Sequence, residues 1–271
     1  MQGRQRRWMS ATFTLACVAI TAGALQYCRD HLGDESTMTG WTLLAATVGL
    51  YLLSLRKKLI RWKMGPVAGW LQMHAYLGSF ASIVFLMHIG WPVRGIFESL
   101  LAFSFAFVSV SGIVLGYLSR STPRKLAAIA QDHHLERIPA LQASVAQSAH
   151  AVAIASADFG EGATLSEFYQ RRLLPFFQMR RGLFYTLLPN GMRRRQLLRE
   201  LGDLDRYLAE QGVESRKQLA DMVCSKDDLD YHCALQTRLR ALFTAHVALT
   251  WALAVMVGVH VVLVFRFQGA M

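Results

Sequence analysis

Long apolar blocks separated by short polar links are the main feature of the chain. A bilayer-spanning helix needs about 20 mostly apolar residues. Five segments approach that length: Met9 to Tyr27, Thr39 to Leu55, Pro66 to Gly90, Gly95 to Leu118, and Ala241 to Phe265. The first also has the basic start and apolar run of a signal peptide, and we interpret it as a membrane helix. The pattern predicts five transmembrane helices.

The stretch from Ser119 to Arg240 has a different character. It mixes 18 Lys and Arg with 14 Asp and Glu, and it is too long to be a simple loop. Its apolar spacing is helical, with a kink or break at Pro139, an interruption at Pro175, and a capping box at Ser225 that opens a helix continuing into the fifth span. We expect an all-α polytopic membrane helix bundle with a helical cytoplasmic insertion, divided as residues 1–118, 119–240 and 241–271.

Composition and charge agree with a membrane protein. Hydrophobic residues make up 53% of the chain and charged residues 17%, against about 25% charged in soluble domains, which argues against an ordinary soluble enzyme. The net charge of +11 comes largely from the N-terminus and from the link between helices two and three. Basic links favour the cytoplasmic side. We therefore expect a bacterial cytoplasmic membrane protein with its N-terminus inside and its C-terminus outside, and no nucleic-acid partner.

Four of the nine histidines lie within predicted spans, where ionisable residues are costly and usually functional. His74 and His88 lie on helix three, and His246 and His260 lie on helix five, with 14 residues between the members of each pair. Fourteen residues are nearly four helical turns, so each pair shares one face, at two levels about 21 Å apart. In the expected topology both helices run outward, which brings His74 level with His246 and His88 level with His260.

Two opposed imidazoles at one level can complete a six-coordinate haem iron, an arrangement suited to electron transfer. Small residues between the histidines are consistent with a passing porphyrin: Gly78, Ala81, Ser82, Thr250 and Ala254. They are equally typical of helix packing in membranes. The competing interpretations are four unrelated polar residues that bond across helices, or zinc ligands. Zinc needs about four ligands near one point, which ligands about 21 Å apart cannot provide.

The two His-x13-His pairs resemble those of the dihaem membrane cytochromes b, as in the cytochrome bc complexes and in the transmembrane domains of ferric reductases and NADPH oxidases. The resemblance covers helices three to five. It implies two haem b groups, held by His74 and His246 on the inner side and by His88 and His260 on the outer side. The chain departs from these families: it has no sixth helix after His260 and no Pro-Glu-Trp-Tyr motif, and its soluble insertion separates the paired helices.

Other residues are weaker candidates. Cys224 and Cys233 flank His232 without the usual CxxC spacing of a metal site. Arg94 on the outer side, and Arg238 and Arg240 on the inner side, are candidates for contacts with haem propionates. The run from Arg193 to Arg195 fits either a lipid contact or a docking patch for an acidic partner. The chain has neither GxGxxG nor GxxxxGK[ST], so it shows no recognisable nucleotide site.

We therefore expect a dihaem b-type cytochrome subunit of an oxidoreductase complex that carries electrons across the bilayer. Its expected partners are membrane lipid, a soluble cytoplasmic iron–sulfur or flavin subunit, and either quinone or an electron carrier on the outer side. Two alternatives remain open: a self-sufficient quinol or ferric reductase-like enzyme, and a haem-free membrane anchor or transporter.

Overall fold

A computed structural model describes residues 2–31, 33–58, 67–90, 92–93, 95–127, 135–157 and 162–268. Within helices, residues 2–7, 52–58, 67, 127, 162 and 268 are described by their backbone alone. All regular secondary structure in these ranges is helical, as the apolar spacing predicts. The chain divides into two compact units: residues 1–117 with 243–271 form unit 1, and residues 118–242 form unit 2.

Unit 1 contains the long apolar helices. They are α1 (Gln2–Asp30), α2 (Glu35–Lys58), α3 (Val67–His88), most of α4 (Ile96–Ala127), and the C-terminal part of α10 (Glu210–Gln268). Among the described residues, stretches of α1, α3, α4 and α10 are long and apolar enough to cross a membrane. Helix α2 does not meet the same criterion, so the count of five spans stays a prediction. Large apolar side chains such as Phe13, Phe103 and Val255 are exposed on these helices, as expected of surfaces that contact lipid.

Helix α2 begins with a strong cap. The Asp34 carboxylate accepts hydrogen bonds from the backbone N–H groups of Ser36 and Thr37 and from both of their hydroxyls. These donors stabilise the ionised carboxylate, the Thr37 hydroxyl most of all, and lower the pKa of Asp34 to about 2. The cap satisfies N–H groups that the first turn of a helix leaves free, and it fixes where α2 starts.

The packed centre of unit 1 is small and apolar. It is formed by one buried residue from each of four helices: Ala46, Ala81, Phe105 and Leu253. The rings of Phe85 and Phe105 stack beside it with their centroids 4.4 Å apart. The α3 backbone runs close to α2 and α1, whereas no comparable run of close backbone contacts joins α3 to α10 in the described part of the chain.

Unit 2 is a helical domain with its own core. Its helices are α5 (Ile138–Ala157), α6 (Gly162–Phe168), α7 (Leu174–Gln178), α8 (Leu183–Leu187), α9 (Met192–Asp203) and the first part of α10, with a π turn at Tyr169–Leu173 and a 3-10 turn at Leu204–Tyr207. Buried aliphatic and aromatic residues from α5, α6, α7, α9 and α10 form one cluster, which includes Ala149, Leu165, Phe176, Leu201 and Leu219.

The structure of unit 2 differs from several local predictions. Pro139 lies in the first turn of α5. The irregularity near Pro175 is a π turn just before it, because proline has no N–H for the usual backbone bond. The predicted helix start at Ser225 is wrong: α10 begins at Glu210, and the Ser225 hydroxyl donates to the Asp221 carbonyl inside the helix. The continuous helix into the apolar C-terminal stretch is confirmed.

A buried cluster of ion pairs connects α10 to the segment before α8. Arg181 donates to Asp227 at 2.8 Å and to Asp230 at 2.7 Å. Lys226 donates to both oxygens of Asp230. Burial raises the pKa of Asp227, while Arg181 acts in the opposite direction. Each buried charge in this cluster therefore has a partner of opposite sign, which is the condition under which such groups are tolerated in a protein interior.

Candidate functional site

The four histidines within the apolar helices form two pairs. His74 and His88 lie on α3, and His246 and His260 lie on α10, with no break in either helix between them. The members of each helix pair are therefore on one face, about 21 Å apart along the axis.

Across the two helices, His74 has His246 as its charged neighbour, and His88 has His260. These are the partners that the sequence expects on the same level.

The apolar centre of unit 1 separates the two levels. Ala81 is seven residues from both His74 and His88, and Leu253 is seven residues from both His246 and His260. Ala81 and Leu253 belong to the same buried cluster. Each pair of histidines is therefore a distinct site with packed apolar side chains between it and the other.

His88 is held by the start of helix α2. Its Nδ1 lies 3.0 Å from the Thr39 hydroxyl oxygen. The same hydroxyl lies 2.7 Å from the Glu35 carbonyl and 3.2 Å from the Ser36 carbonyl. With its proton directed to this helix backbone, it accepts from the imidazole. The next residue is Gly40, where a Cβ would lie 3.2 Å from Cε1 of His88. The ring therefore packs against the α2 backbone with its Nδ1–H bonded.

His246 is held in the same way by helix α4. Its Nδ1 lies 2.9 Å from the Ser111 hydroxyl oxygen, and that hydroxyl donates to the Val108 carbonyl at 2.9 Å. A Cβ at Gly112 would lie 3.2 Å from Cε1 of His246. One histidine of each level thus has the same environment, provided by a different helix.

The remaining nitrogen of each ring is the one that a metal would use. The Nδ1 of His74 is buried and makes no hydrogen bond of normal geometry, although the Leu50 backbone on α2 lies beside it. The side-chain hydrogen bonds to His88 and His246 end on Nδ1, and the Ser36 backbone also contacts the His88 ring. An imidazole that is protonated on Nδ1 carries its free lone pair on Nε2.

This donor set fits haem better than a bare metal ion. Within the described residues, no group of three or more His, Cys, Asp or Glu side chains is placed to hold a metal ion. A haem iron needs only two axial ligands from the protein, because the porphyrin provides the other four. Two imidazoles at each level match that need.

Thr39 and Ser111 are the site residues that the sequence interpretation missed. The sequence does contain a signal for them, a hydroxyl residue followed by glycine. Thr39-Gly40 and Ser111-Gly112 are the only two places in the chain where a glycine follows a serine or threonine. The small residues that it did select have mixed roles. Ala81 belongs to the buried core, and a Cβ at Gly78 would face Leu50 on α2, which is ordinary helix packing.

The other candidates have local partners where the structure describes them, and Arg94 lies outside the described residues. Arg238 donates to the Leu187 carbonyl. Arg194 pairs with Asp228 at 2.8 Å and also contacts the Cys224 thiol. Cys224 and Cys233 form no disulfide, and His232 between them is fully buried in unit 2.

Comparison of the chain with models of protein families, with curated proteins and with solved structures found no match.

Proposed function

We propose that the chain is a dihaem b-type membrane cytochrome that carries electrons across the bilayer as a subunit of an oxidoreductase complex. The observation that supports this most directly is the pairing of four imidazoles at two levels of an apolar bundle. In one ring of each pair, Nδ1 is occupied by a hydroxyl acceptor and Nε2 is left for a metal.

The ligands would be His74 and His246 at one level and His88 and His260 at the other. Haem, when bound, supplies a one-electron carrier at each level. The chain's own residues would provide two imidazole nitrogens per iron, and this would leave no open position for oxygen or substrate. The buried cluster of Ala46, Ala81, Phe105 and Leu253 keeps water out of the space between the levels.

The expected partners follow from what the chain contains. It has two sites for electron carriers and no recognisable nucleotide motif, so we propose that a soluble iron–sulfur or flavin subunit exchanges electrons with it on the cytoplasmic side. Quinone or an outer-side carrier is the second partner. Unit 2 is the proposed docking domain, and crosslinks to the soluble subunit are expected between Pro123 and Asp230. If deleting this range leaves both haems bound and their reduction by every cytoplasmic donor unchanged, the docking proposal is wrong.

A reduced-minus-oxidised spectrum of the purified full-length chain, with haem quantification, tests the central proposal. Two haem b per chain are expected. A colourless protein contradicts the proposal and favours a membrane anchor or transporter. Turnover of quinol or ferric substrate by the isolated chain, without another subunit, favours the self-sufficient enzyme instead.

The proposed orientation has its own test. We propose a bacterial inner membrane, with the N-terminus and unit 2 in the cytoplasm and the C-terminus outside, because the N-terminus and the link between α2 and α3 are basic. A protease site inserted between Ala155 and Gly162 should be cut only from the cytoplasmic side. Cleavage from the outer side would exchange the inner and outer assignments of the two histidine pairs.

A further inference from the structure

The two hydroxyl–glycine dipeptides of the chain share an environment that composition alone does not explain. Each of them contacts the imidazole of one candidate haem ligand, and the two ligands belong to different levels. Thr39-Gly40 is near the start of α2 and Ser111-Gly112 is within α4, so the two contacts come from different helices. The same pair of residue types thus occurs twice, in the same relation to a histidine.

The hydroxyl group determines which ring nitrogen carries the proton. A serine or threonine hydroxyl has one proton. At Thr39 that proton has backbone acceptors at 2.7 Å on Glu35 and 3.2 Å on Ser36, and at Ser111 it has the Val108 carbonyl at 2.9 Å. When each hydroxyl donates to its own helix in this way, its oxygen is an acceptor for the imidazole, and the Nδ1 of the ring donates to it. Only Nε2 then has a lone pair available.

The glycine determines where the ring can lie. A Cβ at Gly40 or Gly112 would lie 3.2 Å from the Cε1 carbon of the neighbouring imidazole. That is tighter than an ordinary carbon–carbon contact of about 3.5–4.0 Å. Any larger residue would push the ring away from the hydroxyl that precedes the glycine. The two residues of each dipeptide therefore act together on one ring.

We propose that Thr39-Gly40 and Ser111-Gly112 are positioning pairs: each fixes one axial histidine per haem, His88 and His246, with a protonated Nδ1 and with Nε2 directed to the iron. This inference rests on the proposed haem function. It makes each haem asymmetric, with one ligand fixed by a hydroxyl from a neighbouring helix and the other ligand on the opposite helix without that contact.

Removing the hydroxyls tests the proton assignment. Thr39→Val should affect only the haem of His88 and His260, and Ser111→Ala only that of His74 and His246. An acceptor at Nδ1 increases the basicity of the ligand and favours ferric iron, so the reduction potential of the affected haem should rise. Loss of such an outer contact commonly weakens metal binding by about 10- to 100-fold. The g-values of the same haem in the electron paramagnetic resonance spectrum should shift, because they follow ligand orientation.

The glycine variants test the position of the ring. Gly40→Ala and Gly112→Ala should each change the g-values of one haem, and each should lower the occupancy of that haem alone. Gly23→Ala is the matched control, because a Cβ there would have nothing within 4 Å. Equal effects of the Gly40 and Gly23 variants on both haems would overturn the proposal for the glycines.

Matched hydroxyl controls separate a positioning role from general helix packing. Thr42→Val removes a hydroxyl of α2 that bonds only to the Met38 carbonyl, and Ser104→Ala removes a contact from α4 to the Met256 sulfur. Both controls should retain wild-type potentials. If Thr39→Val and Ser111→Ala behave like these controls in a wild type that holds two haems, the inference is wrong. A wild type without haem would instead overturn the proposed function.

A measurement without haem tests the same assignment independently. In haem-free full-length protein labelled with nitrogen-15 on histidine, the Nδ1 atoms of His88 and His246 should give protonated, pyrrole-type signals. Thr39→Val should remove that preference at His88 and leave His246 unchanged. Protonation of Nε2 at both rings in the wild type would contradict the inference.

Discussion

The two units of this chain treat buried polar groups in opposite ways. In unit 2, the charges of Arg181, Lys226, Asp227 and Asp230 neutralise one another in a single connected cluster. In unit 1, two of the four histidines within the apolar helices, His88 and His246, each contact one neutral hydroxyl through Nδ1. The charges of the unit 2 cluster are paired with one another. The hydroxyl contacts at His88 and His246 do not involve Nε2.

This difference separates a structural role from a functional one. A charge cluster that satisfies itself stabilises or specifies a fold and needs nothing more. Four ionisable rings placed within apolar helices are costly, and the hydroxyl contacts of His88 and His246 leave Nε2 unused. The comparison therefore predicts that changes in unit 1 alter cofactor binding, whereas changes in unit 2 alter stability.

The largest expected effect is the loss of a whole cofactor. Replacing His88 or His260 with leucine should lower the haem content from two per chain to one, because an imidazole is lost from one level only. His74→Leu or His246→Leu should remove the other haem. Redox titration of each variant should show one remaining transition. His150→Leu is the control, since His150 lies on α5 in unit 2 and should not affect haem content. Loss of both haems from every single variant would show that the levels are not independent sites.

Buried charge in unit 2 should give the next largest effect. Arg181→Met leaves Asp227 without its closest cation in a buried environment, and breaking a buried pair typically costs about 3–5 kcal/mol. Urea unfolding of the full-length protein, followed by proteolysis within unit 2, measures this loss. The haem spectrum at low urea should be unchanged.

An exposed ion pair in the same unit provides the control. Lys217 and Glu214 approach to 3.8 Å with both side chains more than half exposed, and such pairs contribute about 0–1 kcal/mol. Lys217→Met should therefore have little effect. Equal losses for Arg181→Met and Lys217→Met would mean that the buried cluster does not stabilise unit 2.

Sequence reasoning predicted these two regions to different extents for physical reasons. Apolar blocks and a 14-residue spacing of histidines are periodic signals. The helices, the soluble insertion and the expectation of two histidine levels can all be read from them. The partners of the histidines are not periodic. Thr39 is 49 residues from His88 and Ser111 is 135 residues from His246, so only tertiary packing brings them together. The capping box at Ser225 failed because the same hydroxyl can also bond backward within a helix.

A smaller effect is expected at the start of α2, and it depends on pH. Helix formation lowers the pKa of Asp34 from 3.8 to about 2, so the folded state prefers the carboxylate. The cap therefore stabilises unit 1 fully above about pH 4, and its contribution disappears as pH falls toward 2.

Asp34→Asn should lower the thermal midpoint above pH 4, as measured by circular dichroism. Near pH 2 the midpoints of the variant and the wild type should converge. Glu98→Gln, which removes a carboxylate from the first turn of α4, is the matched control. Parallel curves for Asp34→Asn and wild type over this range would contradict the capping role.

The smallest expected effect concerns a hydroxyl in unit 2 and completes the comparison with Thr39 and Ser111. The Tyr185 ring lies under the Arg181 guanidinium at 4.6 Å, but its buried hydroxyl makes no hydrogen bond of normal geometry with the described residues. Burial raises the pKa of Tyr185, so this hydroxyl stays neutral.

Tyr185→Phe keeps the ring and removes a buried polar atom, so the free energy of unfolding should change by less than about 0.5 kcal/mol. Tyr185→Leu removes the ring and should cost up to about 2 kcal/mol through the lost cation–π contact. If Tyr185→Phe destabilises unit 2 as much as Tyr185→Leu does, the hydroxyl has a structural partner, and the contrast between the hydroxyls of the two units is wrong.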